Sequence, residues 1–444
     1  MYHYLNHINI RSIFKSTFVR NVAMIAGGTV IAQIVTIAFS PIITRQYGPE
    51  AFGILGVFMS VVTILSTVSS LCYVHAVVLP KEDADGLRIL FLSLKIAAII
   101  SLILAGIMIP FRQQIAVLLG MEAVAPYLFL VPISVFFAAL AQGYDQWLIR
   151  KKNFKASSAV TVIQSISLNG LKTGVGFFAP FASILIGLST FGNVLQALLS
   201  WIFSHKFVKP IKRSMVKEEQ ERIKELAIEY RDFPLYRSPQ VFINSASQNL
   251  PVILLASLFG PTVAGLYAIS VRVLKLPTAL ISQSLGKVFL PRITEAAHQG
   301  ENLQKHIIKA TVGLAMVGII PYGLVVAFGP WLFGLVFGAE WVKAGEYARW
   351  VALWLYFGFM NVPSVQAAAV LGIQKWLLIY EVFSMVSRIF TLIIGFYVFH
   401  DDKIAIILFS IVGILINLIL IFKVIKYCRY KNRWEKQFID KKTS

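Results

Sequence analysis

The chain has 444 residues, 57% of them hydrophobic and only 14% charged, with a mean hydropathy of +0.73. An ordinary soluble domain is about half apolar and about a quarter charged, so this composition excludes a cytosolic enzyme and a disordered or fibrous chain, and indicates a polytopic membrane protein. Lys and Arg total 41 against 21 Asp and Glu; in a membrane protein this net +20 is read first as topology, and no nucleic-acid partner is expected.

The leading segment, 1–19, carries Arg11 and Lys15 without the compact apolar region and cleavage site of a signal peptide, and reads as a cytoplasmic lead-in. Crossing roughly 30 Å of hydrocarbon takes about 20 apolar residues in helical form. Twelve such stretches follow, near 20–43, 51–78, 87–109, 122–149, 156–178, 181–205, 238–259, 262–289, 306–328, 347–371, 376–399 and 403–426. They divide the chain into an N-terminal six-helix lobe (20–208), an amphipathic linker (209–237), a C-terminal six-helix lobe (238–426) and a basic cytoplasmic tail (427–444). The expected fold class is an all-α polytopic membrane protein with 12 transmembrane helices in two bundles around a central cavity.

With the N-terminus inside, 31 Lys and Arg fall on or near the cytoplasmic side, five on the opposite side and five within spans. That bias places both termini in the cytoplasm. Arg150, Lys151, Lys152 and Lys155 after the fourth span, the linker and the tail carry much of it, and read as topogenic charge. Loops on the other side, such as Phe178 to Phe181 and Phe259 to Thr262, leave no room for an external catalytic domain. No metalloprotease, nucleophile-elbow, P-loop or dinucleotide motif is present, so no cofactor is expected, and Cys72 and Cys428 are too isolated for a disulfide framework or a metal site.

An offset of 212 residues brings Tyr47, Gly48, Pro49 and Gly53 onto Phe259, Gly260, Pro261 and Gly265. Both second spans end at a Leu-Pro-basic cluster, Leu79-Pro80-Lys81 and Leu290-Pro291-Arg292. Aromatic-Gly-Pro is common turn chemistry, but the matching position and order point to a duplication, and six spans per unit make the repeats parallel. In the linker, Ile223, Leu226, Ala227 and Tyr230 share one face at helical spacing, which predicts an interfacial helix with Glu218 and Arg222 on its polar side.

Ionisable side chains at bilayer depth are costly and mark sites. Arg272 lies near the middle of the eighth span, Lys275 is one turn further on the same face, and Pro277 predicts a kink beside them. Arg388 lies midway along the eleventh span, Lys95 in the inner half of the third and Lys172 in the outer half of the fifth. These five form the candidate substrate-binding set, although Lys95 and Lys172 also suit snorkelling to the interfaces. Asp145 and Glu381 are the acidic residues within spans; each is a candidate for ion coupling, with the plainer readings of a rim residue near Arg150 and a neutralising partner for Arg388. Gln33, Gln164, Asn169, Asn244, Gln248, Asn249 and Asn361 suit either sugar hydroxyls or helix-to-helix pinning. A cation-rich lumen favours an anion, phosphate or pyrophosphate above all.

The run from Ala264-Gly265-Leu266-Tyr267 through Ser270-Val271-Arg272-Val273-Leu274-Lys275-Leu276-Pro277 and Ile281-Ser282-Gln283-Ser284-Leu285 to Phe289-Leu290-Pro291-Arg292 resembles the eighth-span region of bacterial polysaccharide flippases. Thr44 to Gly53 and Val77 to Lys81 are similar to the first two spans of the same O-antigen-type (Wzx-like) members of the multidrug/oligosaccharidyl-lipid/polysaccharide superfamily. The resemblance implies translocation of undecaprenyl-pyrophosphate-linked oligosaccharide across the bacterial cytoplasmic membrane by alternating access, with membrane lipids and other polysaccharide assembly proteins as partners. It also implies a substrate-binding role for Arg272, which matches an eighth-span arginine of the peptidoglycan-precursor flippases. Their second-span arginine has no counterpart, since 51–78 contains no Lys or Arg. An ion-coupled drug exporter is disfavoured by the sign of the charge, a major-facilitator-type small-molecule anion carrier by the lack of its Gly-x-x-x-Asp-Arg/Lys-x-Gly pattern between Pro80 and Arg88, and a membrane glycan enzyme by the short outer loops.

Overall fold

The computed structural model describes residues 17–118, 120–205, 216–299 and 301–443. The lead-in through residue 16 and residues 206–215 of the linker lie outside the described residues, as do the side chains of Glu218, of Ile281 to Leu285 and of the tail beyond Arg429. No strand occurs among the described residues, and each of the twelve apolar stretches is helical over most of its length. Seven described helices are long and apolar enough to cross a membrane.

The first helix, α1 (Thr17–Ser66), takes in the first two apolar stretches and is broken at Gly48, whose φ of 68° and ψ of 170° are not helical. Pro49 then restarts the helix, its fixed φ and missing N–H suiting the first helical position. Gly260 repeats the arrangement with φ 90° and ψ 167°, and Pro261 opens α9. The two copies of the Gly-Pro motif thus share a local conformation, one that L side chains rarely adopt.

After α1 come α2 (Asp83–Met108), the short α3 (Arg112–Leu118), α4 (Leu130–Arg150), α5 (Phe154–Gly176), α6 (Ala182–His205) and the linker helix α7 (Val216–Glu229). The second half holds α8 (Ser238–Phe259), α9 (Pro261–His298), α10 (Leu303–Phe337), α11 (Val342–Met360), α12 (Val362–Leu371), α13 (Gln374–Tyr397) and α14 (Asp402–Thr443).

Four expected boundaries move. The second span stops being α-helical at Ser66, where Thr67 Oγ1 donates to the Ile64 carbonyl (2.6 Å) and Ser69 Oγ to that of Ser66 (2.8 Å). Such side-chain bonds compete with the helical ladder. Leu71 and Cys72 then adopt positive φ, and Tyr73–Val78 form a 3-10 turn. The tenth span breaks at Asn361, two residues ahead of Pro363, whose missing N–H cannot continue the ladder. Conversely, α9 remains helical through Pro277 and Pro291, and α14 carries the basic tail as helix to Thr443.

The chain resolves into two compact units. The first comprises residues to Tyr47 and Ile54–Leu250, the second Gly48–Gly53 and Pro251–Ser444. In the first, Val77, Leu87, Leu90 and Trp147 form a buried core at one end of the bundle, and Leu226 of α7 inserts into it with 2% of its surface exposed. The predicted apolar face of the linker helix is the face it buries: Ile223, Ala227 and Tyr230 are half-buried, whereas Glu221, Lys224, Glu225 and Ile228 are exposed. Arg222 donates to Asp85 at the start of α2 (2.6 Å) and to Glu225 (2.9 Å), and the Tyr73 hydroxyl donates to the Ala227 carbonyl (2.8 Å). In the second unit, Phe289, Ile293, Leu303, Ile307, Leu371 and Val424 form the core at the end where α9 finishes and α10 begins.

Candidate functional site

In the second unit, the break at Gly260 sets the register of α9, so Arg272 lies about 17 Å from the helix start at 1.5 Å per residue. At that depth its side chain stays exposed and forms no ion pair with any described carboxylate. Lys275, one turn on, is half-buried and within electrostatic reach of Arg388 on α13. Arg388 is held differently from Arg272. Its guanidinium lies over the rings of Trp354 (5.3 Å) and Phe409 (5.7 Å), and its Nε donates to the Ser384 carbonyl (3.1 Å). Trp354 and Phe409 meet edge to face at 5.1 Å, and the buried Tyr267 meets Phe409 at 6.1 Å. Aromatic faces attract a cation without neutralising it, so the clamp fixes where the guanidinium lies.

Glu381 is half-buried, and makes no hydrogen bond or ion pair with a described residue; the expected pairing with Arg388 does not form. In the first unit, Asp145 accepts from the Ser157 hydroxyl across the α4–α5 turn at 2.5 Å. Arg150, expected near it, instead reaches Asp83 (3.0 Å) and the Val77 and Glu82 carbonyls, occupying space that Gly86 leaves by lacking a side chain. Lys151 bonds the same Asp83. Lys95 is exposed on α2, and Lys172 is half-buried on α5, where its carbonyl accepts from Tyr47 (3.0 Å). Lys95, Lys172 and Asp145 therefore belong to the first unit, and Arg272, Lys275, Arg388 and Glu381 to the second.

Several amides act as pins. Asn169 bonds the Ser165 carbonyl (2.7 Å) beside Thr36, whose hydroxyl shares a hydrogen bond with Ser165 (3.1 Å), and Asn361 donates to Asn417 (2.9 Å). Gln248 donates to Asn244 one turn away (2.9 Å). The aromatic clamp of Trp354, Phe409 and Tyr267 was not foreseen, because nothing in the sequence separates these rings from the many other aromatics in the spans.

Residues 42–346 match the model of the family described as "Polysaccharide biosynthesis protein". The chain belongs to this family. The succinoglycan biosynthesis transport protein ExoT of Rhizobium meliloti (strain 1021) is 24% identical over 328 residues, 71% of this chain and 61% of that protein. The chain thus spans about three fifths of the curated relative it matches. Two solved structures share the fold. The lipid II flippase MurJ in an inward closed conformation aligns with a TM-score of 0.70 at 15% identity, over 91% of this chain and 88% of that one. An inward-facing multidrug resistance MATE family transporter of the MOP superfamily aligns with a TM-score of 0.68 at 13% identity, over 90% and 95%. The polysaccharide biosynthesis family member is therefore a multi-pass membrane protein with a MOP-superfamily fold, in agreement with the resemblance read from the Arg272 and Gly48 regions. The residues that carry that resemblance, Thr44 to Gly53 and Ala264 to Arg292, lie inside the matched segment.

Proposed function

We infer that this polysaccharide biosynthesis family member is a flippase that moves an undecaprenyl-pyrophosphate-linked oligosaccharide from the cytoplasmic to the outer leaflet of the bacterial cytoplasmic membrane, as in O-antigen-type surface polysaccharide synthesis. The observation that carries this reading is Arg272, an exposed guanidinium far along an apolar helix with no carboxylate partner among the described residues. A cation so placed is costly unless it serves a wet, anionic ligand. Lys275 and Arg388 extend the positive field within the same unit, and two cations with fork geometry suit a diphosphate better than a single lysine would. The family match, the transport role named for ExoT and the fold shared with MurJ all support the same reaction class.

On this reading the twelve spans form two six-helix bundles with both termini in the cytoplasm, and the bundles rock about the bound headgroup. Lys172 and Lys95 assist from the first bundle, and Asp145 or Glu381 couples an ion. The prenyl tail stays in lipid, no step is enzymatic, and neighbouring assembly enzymes supply and consume the substrate. Leaflet exchange of a fluorescent polyprenyl-pyrophosphate oligosaccharide in proteoliposomes tests it. Arg272→Ala is expected to abolish exchange with folding and insertion intact, and Arg272→Lys to retain part of it; full exchange in Arg272→Ala overturns the site.

A further inference from the structure

We propose that the second unit carries a separate binding site for an anionic phospholipid, built between α10, α11 and α14 at the end of the unit where α14 begins. A cavity of about 450 Å³ lies there, bounded by Arg349 and Lys403, by Glu346 and Trp350, and by an aliphatic floor that includes Val326 and Leu353. The three helices converge tightly enough to form its walls because Gly329 and Gly345 bring α10 and α11 together; a Cβ on Gly345 would lie 2.4 Å from the Gly329 carbonyl oxygen.

Charge selects the ligand. On the topology expected from the sequence, five of 41 Lys and Arg fall on the outer side of the spans, and two of the five, Arg349 and Lys403, line this one cavity. Lys403 is neutralised by Glu346 at 2.7 Å. Arg349 donates to the Ala327 carbonyl (2.9 Å) and forms no ion pair with a described carboxylate. Nearby Asp402 is already taken up by Lys343 (2.6 Å) and the Tyr347 hydroxyl (2.7 Å). The cavity lining therefore carries one positive charge in excess, which matches the single negative charge of a phosphodiester headgroup and falls short of a diphosphate.

Depth agrees with charge. Lys403 stands in the first turn of α14 and Arg349 about 10 Å along α11, so the charges sit toward the helix ends, while Leu353 lies one turn further along α11. Trp350, half-buried between them, has the amphipathic ring that settles at a membrane interface. Phosphate between Arg349 and Lys403 with a fatty chain along Val326 and Leu353 uses both the basic and the aliphatic parts of the lining. This site shares no residue with the Arg272 set and stands or falls independently of the flippase reading.

Native mass spectrometry of the purified full chain, titrated with phosphatidylglycerol, phosphatidylcholine, undecaprenyl pyrophosphate or inorganic phosphate, tests it. Phosphatidylglycerol is expected to be retained about tenfold more tightly than phosphatidylcholine, and inorganic phosphate not to compete at millimolar concentration, because the chain contacts are missing. Arg349→Gln with Lys403→Gln is expected to remove the preference, and Arg349→Lys, which keeps the fold and the charge, to weaken it about threefold through loss of the guanidinium fork. An unchanged preference in Arg349→Lys and in the double variant overturns the proposal. So does tighter retention of undecaprenyl pyrophosphate that depends on Arg349.

Discussion

Gly53 and Gly265, 212 residues apart, each face the motif proline of the other: a Cβ built on Gly53 would lie 1.7 Å from the Pro261 carbonyl oxygen, and one built on Gly265 would lie 1.9 Å from that of Pro49. Segment 48–53 belongs to the second compact unit, so the two copies of the repeated Gly-Pro-x-x-x-Gly motif are packed against one another there. The spacing that marks the duplication in the sequence is also what makes the contact possible. Pro49 and Pro261 start their helices, and one turn later a residue without a side chain admits the facing backbone.

Replacing either glycine by alanine is therefore expected to be strongly destabilising. Backbone cannot swing aside as a side chain can, and overpacking of this kind costs about 1–3 kcal/mol or more. The thermal midpoint of Gly53→Ala and Gly265→Ala in detergent should fall clearly, whereas Gly170→Ala, where nothing lies within 4 Å of the new methyl, should leave it unchanged. Equal midpoints for all three would show that the contact does not form.

The Arg388 clamp makes a prediction about ring identity. Trp354→Leu keeps apolar bulk but removes the better of the two faces on which the guanidinium rests. Loss of a cation–π contact of this kind is expected to lower stability by about 1–2 kcal/mol. Because the charge remains, substrate affinity should fall less in Trp354→Leu than in Arg388→Gln. Binding of a pyrophosphate lipid to both variants, measured beside their thermal midpoints, checks the order.

Leu226 anchors the linker helix, with 2% of its surface exposed among Val77, Leu87 and Trp147. Leu226→Ala should cost about 2–4 kcal/mol of the docking energy of α7, through lost burial and the cavity left behind. Exposed Ile228 serves as the control, since Ile228→Ala changes surface only. Hydrogen exchange over 216–229 reads the effect directly: faster exchange in the first variant and none in the second is expected.

At the connection between α9 and α10, Arg292 (2.7 Å) and His306 (2.7 Å) both bind Glu301, and the guanidinium holds its carboxyl below the ordinary Glu range, with His306 as the lesser cause. A folded pKa below the unfolded one means that the contribution to stability is fully present above the unfolded value and is lost as pH falls through the folded value. Glu301→Gln should therefore differ from the wild type near neutrality, with the two thermal midpoints converging as the pH is taken below the ordinary Glu range and through the lowered folded pKa. A gap that persists at low pH would show that the ion pair is not its source.

Much of the fold was legible because hydrocarbon imposes a length and a composition on every helix that crosses it, and both can be read locally. The twelve apolar stretches, the two Gly-Pro helix starts and the apolar face of the linker helix all follow from residues close together in the chain. So does the placing of Arg272 and Lys275 deep in α9. What the sequence could not supply was partnership between distant residues. Hydroxyls at Thr67 and Ser69 ended a helix that hydropathy would have continued. Arg150 chose Asp83 over Asp145, and Arg388 settled on two aromatic faces in place of Glu381. In both cases the expected partner was nearer in the chain and the observed one better placed in space. Charge and periodicity determine which residues need company; only the packed helices decide which company they keep, because hydrogen bonds and ring contacts act over a few ångströms that chain distance does not measure.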